Sequence, residues 1–123
     1  MAWNNNLGKW GEQLAVDKLV ADGYSILKRN WRLGHIEIDI VALKDDTLVI
    51  AEVKTRSEFD VDPLEAIDKG KKARMFRAAR AYMKYTKYRY KPRLDLFAIN
   101  GTPDNYRLEH IPDAFYPTLK TYH

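Results

Sequence analysis

No cysteine occurs among the 123 residues, which excludes a disulfide framework and any thiolate metal site. Serine is almost as scarce. Ser25 and Ser57 are the only two, and neither sits in the tight turn that exposes a hydrolase nucleophile. The three histidines, His35, His110 and His123, are scattered and show no metal-ligand spacing. There is no glycine-rich phosphate loop of the Walker or dinucleotide type. No apolar run approaches transmembrane length, and the opening MAWNNNLGKWGEQ lacks the basic-then-apolar layout of a secretory signal. These absences set the expectation of a cytoplasmic protein with no membrane partner. Negative charge is also missing from one long segment. Lys69 to Arg93 holds eleven Lys or Arg and no Asp or Glu, although the whole chain carries only +4. Such one-sided charge points to a polyanionic partner.

The length is that of one ordinary domain, and 46% hydrophobic with 31% charged residues is a globular composition. We expect a single domain over 1–123, with its core over about 7–115 and a C-terminal tail over 116–123, the segment from Pro112 onward lying against the surface. Asn4, Asn5 and Asn6 offer N-caps for a helix over Leu7–Ala21, stopped by Asp22-Gly23. Gly8, Glu12, Ala15 and Leu19 share one stripe of that helix, which places the Glu12 carboxylate among small and apolar neighbours. The alternative is that Glu12 leans out to water. Gly8, Gly11 and Ala15 would allow a close approach to whatever lies beneath. A strand follows over Tyr24–Arg32, and Leu33-Gly34-His35 turns the chain back.

The richest stretch is Ile36–Thr55, two strands about a polar turn at Lys44-Asp45-Asp46-Thr47. With the turn centred there, Leu43 faces Leu48, Asp39 faces Glu52 and Glu37 faces Lys54. Side chains alternate along a strand. Glu37, Asp39, Glu52 and Lys54 therefore share one face, and Ile36, Ile38, Ile40, Val49, Ala51 and Val53 the other. Three carboxylates and an amine at one sheet end suit a hard divalent cation, Mg²⁺ or Mn²⁺, held by Asp39 and Glu52, with Lys54 beside a water. Glu37 could pair with Lys54 or join the metal shell. Crowded carboxylates repel, so at least one of them should have a raised pKa. The structural alternative is a plain Glu37–Lys54 cross-strand ion pair.

Beyond a polar loop, Pro63 opens a short helix, and Gly70 separates it from a long one over Lys71–Tyr85. Met75, Phe76, Ala79, Tyr82 and Met83 form its apolar side, and Arg74, Arg77, Arg80, Lys84 and Lys87 another. An ordinary wet face mixes Glu with Lys, because like charges at i, i+4 weaken a helix. A purely cationic face fits phosphate contact. Tyr85, Tyr88 and Tyr90 interleave with cations in the manner of single-strand binders, although loop tyrosines are as often packing residues. A strand over Arg93–Asn100, a turn at Asn100-Gly101 and a last edge strand over Tyr106–Ile111 close the chain. The order α-β-β-β-α-β(-β) implies an α/β sandwich around a mixed sheet.

Asp39, twelve intervening residues and then Glu52-Val53-Lys54 resemble the D…(D/E)xK signature of the PD-(D/E)xK nucleases. Ile38 stands where the superfamily name has proline. A preceding helix with Glu12 is similar to the archaeal Holliday junction resolvases. More narrowly, the chain resembles the YraN-like family of small bacterial proteins. The matching stretches are Gly8-x-x-Gly11-Glu12-x-x-Ala15, Gly23-Tyr24-x-Ile26-Leu27-x-Arg29-Asn30-Trp31-Arg32, Glu37-Ile38-Asp39-Ile40, Glu52-Val53-Lys54-x-Arg56 and Pro112-Asp113-Ala114-Phe115. His35-Ile36 before Glu37 departs from a tighter Gly-Glu-Ile-Asp run, which leaves Glu37 the least defined member. The resemblance implies a restriction-endonuclease-like fold and a catalytic set of Asp39, Glu52, Lys54, Glu12 and Glu37. Asp39, Glu52 and Glu12 would be metal ligands.

The expected activity is metal-dependent endonucleolytic hydrolysis of DNA, branched or otherwise structured, with RNA left open as a partner. Arg74, Arg77, Arg80, Lys84, Lys87 and Arg56 would contact the nucleic acid. A homodimer is expected by resemblance to resolvases. The alternative, from another class, is a non-catalytic nucleic-acid-binding module whose carboxylates are structural.

Overall fold

The computed structural model describes residues 2–89 and 91–115, with side chains from Asn6 onward. Its elements are α1 (Ala2–Ala21), β1 (Ser25–Leu33), β2 (Ile36–Lys44), β3 (Thr47–Arg56), a 3₁₀ turn (Pro63–Ala66), α2 (Lys69–Thr86), β4 (Pro92–Thr102) and β5 (Asn105–Ile111). The five strands form one sheet in the order β1-β2-β3-β4-β5. Only β3 and β4 run parallel, joined by the crossover that contains α2. The remaining neighbours are antiparallel. This is the expected α/β arrangement around a mixed sheet.

Each face of the sheet has its own core, which is why the central strands read as nearly continuous apolar runs. On one face Ala15, Val16 and Leu19 of α1 pack on Ile40, Ala42, Val49, Ala51, Phe97 and Ile99. On the other, Met75, Ala78, Ala79 and Tyr82 of α2 pack on Ile38, Val41, Leu48, Ile50, Leu94 and Leu96. Full burial of side chains such as Ile40, Leu48 or Ile50 contributes roughly 1.5–3 kcal/mol each.

Gly11 sets the distance between α1 and the sheet. A Cβ there would collide with the hydroxyl and Cβ of Thr55 on β3, so the close approach expected of this helix is made at Gly11. Gly8 does not share in it. It is exposed and faces open space.

Several boundaries differ from the sequence reading. Helix α1 runs back to Ala2, because asparagine is tolerated inside a helix and Asn4–Asn6 contain no residue that forbids one. Gly70 lies inside the first turn of α2, where the Asp68 side chain caps the helix by accepting from Lys71 N–H at 2.7 Å. That cap offsets the weak helix propensity of glycine. The β4–β5 turn falls at Pro103-Asp104, not at Asn100-Gly101. Gly101 is a strand residue at φ +118 opposite Tyr106, and a side chain there would meet the Asn105 carbonyl. Phe115 does not lie on the surface. It is fully buried in the α2-side core, anchored by Ala114 N–H donating to Leu94 O at 2.8 Å. The tail expected over 116–123, Tyr90 and His123 lie outside the described residues.

Ile36 and Ile38 pack on the α2 side, opposite to Ile40, so the strict alternation expected along β2 fails. The break falls at Asp39. Between the β1–β2 pairs Trp31↔Ile38 and Arg29↔Ile40 lies Asn30, held left-handed at φ 52. Asparagine is one of the few residues that enter this region readily.

Candidate functional site

The hairpin register is the expected one where the strands are paired. Leu43 faces Leu48, and the ladder continues to Ile40↔Ala51. It stops there. Beyond that point β2 keeps its partner β1 as far as Leu33↔Ile36, and β3 keeps β4 as far as Arg56↔Asn100. The sheet therefore opens into a fork between β2 and β3, with Asp39 at its throat. A backbone donor that loses its ladder partner must find another, and Val53 N–H donates to Asp39 Oδ2 at 2.8 Å. Asp39 and Glu52 are thus not ladder partners, nor are Glu37 and Lys54. Glu37 is instead bound to Arg32, its register partner on β1, at 2.9 Å. The expected Glu37–Lys54 pair is replaced by this one because the fork separates the two strands.

Two cavities meet at Asp39. One, of about 320 Å³, lies on the α2 side and is lined by Glu37, Asp39, Glu52, Lys71, Arg74 and Arg77, among others. The second, of about 680 Å³, lies on the α1 side, with Gly8, Glu12, Asn30, Glu37, Asp39 and Lys54 in its lining. Only Asp39 and Glu37 belong to both. All five residues expected to be catalytic therefore line one or both cavities, but Glu52 and Lys54 open into different ones.

Glu12 turns inward, as its place on the apolar stripe suggested, and does not lean out to water. Its side chain is 13% exposed and lies 3.8 Å from Arg29. Asn30 donates to Glu12 Oε1 at 3.3 Å, whereas Oε2 is buried with no partner among the described residues. An unpaired buried carboxylate oxygen is costly and marks a place where a cation or donor would be stabilised. Burial pushes the Asp39 carboxyl up to about 7. The charge of Glu52, and those of Glu12 and Glu37, add to this, and the Val53 N–H opposes it only in part. The raised pKa expected of crowded carboxylates thus falls on Asp39.

On the α2 side, Lys71 reaches back to Glu52, with Nζ and Oε2 2.7 Å apart and both side chains about one-fifth exposed. Lys71 is the principal residue of the site that the sequence reading did not single out. That reading began the helix at Lys71 and treated Gly70 as a break. With Asp68 as the cap, Lys71 falls in the first turn, beside the end of β3. Of the expected nucleic-acid contacts, Arg74 and Arg77 line the α2-side cavity, whereas Arg80, Lys84 and Lys87 are exposed further along and past the end of α2. Arg56 is half-buried at the end of β3 and lines neither cavity.

The donors suit a hard divalent ion. Asp39, Glu52 and Glu12 offer carboxylate oxygens, the Asp39 carboxylate is disfavoured by burial and by neighbouring negative charge, and Glu12 has an orphaned oxygen. No three acidic or histidine side chains are already gathered as a ligand cage among the described residues. Mg²⁺ does not require one, since it commonly takes one or two carboxylates and completes its shell with water.

Comparison with known proteins gives the narrowest of the groupings that the residues suggested. The model of Uncharacterised protein family UPF0102 matches residues 11–99. The chain belongs to the UPF0102 family. It is 50% identical over 120 residues to a UPF0102 protein of Bacteroides thetaiotaomicron, covering 97% of this chain and 99% of that one. Similar relatives occur in Parabacteroides distasonis, at 41% identity over 94% of this chain and 97% of the relative, and in Flavobacterium johnsoniae, at 40% over 94% and 98%. The family match spans both faces of the fork, from Gly11 on α1 to Ile99 within β4.

Proposed function

We propose that this UPF0102 member is a metal-dependent nuclease of the PD-(D/E)xK type, hydrolysing phosphodiester bonds of DNA at the mouth of the β2–β3 fork. The observation that carries the reading is the convergence of Glu12, Asp39, Glu52 and Lys54 on two adjoining cavities, one of which has a cationic wall. Asp39, Glu52 and Glu12 would hold Mg²⁺ or Mn²⁺. When bound, such an ion stabilises charge on the reacting phosphate and lowers the pKa of a water. Lys54, which lines the second cavity together with Asp39, would orient the attacking water or accept its proton. Arg74 and Arg77 neutralise phosphates on the α2 side, and Asn30 orients Glu12. Branched DNA is the substrate class that the resolvase resemblance favours.

A second reading has one observation in its favour. Glu52 is already neutralised by Lys71, as expected of a nucleic-acid-binding module whose carboxylates are structural. A cleavage screen over single-stranded, duplex, flap and four-way-junction DNA with Mn²⁺ separates the two. The nuclease reading expects cutting by the wild type and a loss of at least about 100-fold in Glu52→Gln and Asp39→Asn. Equal cutting by these variants, or binding without any cutting, would refute it.

A further inference from the structure

Helix α2 does more than wall the cavity. Residues 71, 74, 78, 81 and 85 recur at three- and four-residue spacing and so form one stripe along it. Its lower end, Lys71, Arg74 and Ala78, lines the cavity with Asp39 and Glu52. Its upper end is Tyr85, about 21 Å beyond Lys71 at 1.5 Å per residue.

Tyr85 is 66% exposed, yet its ring is not loose. It rests edge-on against Trp31 of β1, with ring centroids 5.9 Å apart and planes at 60°. Trp31 is in turn held by the buried Tyr82, at 5.1 Å and 81°. Arg77 and Lys84 stand exposed beside the stripe. Tyr88 shows what a packing tyrosine looks like in the same segment. It is half-buried, and its hydroxyl donates to Asp46 O at 3.2 Å.

We propose that the exposed edge of this stripe, alongside the buried Ala78, seats an unpaired DNA strand running away from the fork, its phosphates on Arg74, Arg77 and Lys84 and one base stacked on Tyr85. The proposal rests on the nuclease reading for what happens at the fork, and it names the form in which the substrate enters. Every base has an apolar face that stacks on an aromatic ring. In a duplex those faces are covered by neighbouring pairs, so an internal paired base cannot use Tyr85. The cations serve either form of DNA, whereas the tyrosine discriminates between them.

The test is fluorescence anisotropy with a labelled oligothymidine of about 12 nucleotides, within the usual range of single-strand site sizes, against a duplex of equal length, in EDTA. Tyr85→Ala should weaken oligothymidine binding by roughly 5- to 150-fold, the range for one stacked base, and leave duplex binding within about twofold. Tyr85→Phe keeps the ring and should bind as the wild type does. In a Trp3→Phe, Trp10→Phe background, Trp31 emission should change on oligothymidine binding and should do so much less when Tyr85 is alanine. An equal loss on both DNAs, no loss on either, or an oligouridine bound about tenfold tighter than the oligothymidine would overturn the proposal. No divalent ion is present, so an inert Asp39/Glu52 pair would end the hydrolysis reading without altering these expectations.

Discussion

Asp39 concentrates the physical cost of the site in one side chain. It is partly buried, accepts from only one backbone N–H among the described residues, and lies in the field of Glu52, Glu12 and Glu37. Its folded pKa of about 7 lies above the ordinary 3.8, so the native state holds a proton that the unfolded chain gives up. Stability from this group is full below about pH 4 and is lost as pH rises to about 7, an effect on the order of 2–4 kcal/mol. Chemical denaturation from pH 4 to 8 should show that loss, and Asp39→Asn should flatten it. Added Mn²⁺ should restore the stability at pH 8 in the wild type and not in Asp39→Asn. Lys71 bears on the same site from the other side, because the oxygen of Glu52 it occupies is one that a metal would need. Lys71→Met should therefore raise Mn²⁺ affinity, by roughly 5–30-fold if the released ion pair is worth about 1–2 kcal/mol. Calorimetry showing unchanged or weaker affinity would dismiss Lys71 as a competitor for the ion.

At the scale of elements, the site exists because two strand pairs part. Strand β2 follows β1 and β3 follows β4, and the gap at Asp39 lies between helices seated on opposite faces. Glu12 reaches that gap only because α1 comes close to β3 at Gly11. Gly11→Ala would drive a methyl group into Thr55 and should destabilise the fold by about 1–3 kcal/mol, the usual cost of overpacking. The same shift should withdraw Glu12 from the fork. Thermal unfolding of the single variant and of its combination with Thr55→Ala checks this, since trimming Thr55 should recover part of the loss. Helix α2 owes its position to its apolar side, with Met75, Ala78, Ala79 and Tyr82 buried. Its cations are thereby held at the rim of the cavity and beyond it.

Across the whole molecule, a second ionic centre is set well apart in sequence from the first and has the opposite pH signature. Asp95 of β4 is fully buried and accepts from Arg93 at 2.8 and 2.9 Å, from His110 at 2.7 Å and from Asp113 N–H at 3.0 Å. Burial alone would push its carboxyl up, but the hydrogen bonds from His110, Arg93 and Asp113 outweigh it and hold the pKa below the ordinary range. Arg93 extends the network to the Tyr24 hydroxyl at 2.8 Å, and His110 stacks on Phe97 at 4.1 Å. This cluster ties the start of β1 to β4, β5 and the closing turn. Its contribution is present above about pH 4 and fades as pH falls below that, the reverse of Asp39. Asp95→Ala, which takes the carboxylate from a partly exposed Arg93 guanidinium, should cost about 1–3 kcal/mol and remove that acid-side slope, as measured by urea unfolding at pH 3 to 6.

The sequence alone determined whatever depends on short-range pattern. The strands of the hairpin, its register about Asp45-Asp46, the amphipathic α2 and the closeness of Asp39, Glu52 and Lys54 to the open end of the hairpin all follow from turn position and spacing within a few residues. The ordered motifs also carried the family. Tertiary structure decided what depends on which neighbour wins. Glu37 went to Arg32 because β2 stays with β1 past Asp39, and Lys71 reached Glu52 from the first turn of α2, which Asp68 caps so that it starts two residues before the expected Lys71. Ile38 changed faces because Asn30 is left-handed opposite Asp39. His110 reached Asp95 because β5 folds back on β4, Tyr24 reached Arg93 from the turn before β1, and no local pattern encodes that juxtaposition. Backbone alternation is a property of a strand by itself, whereas the partner of a charge is settled by strand pairing and packing across the fold.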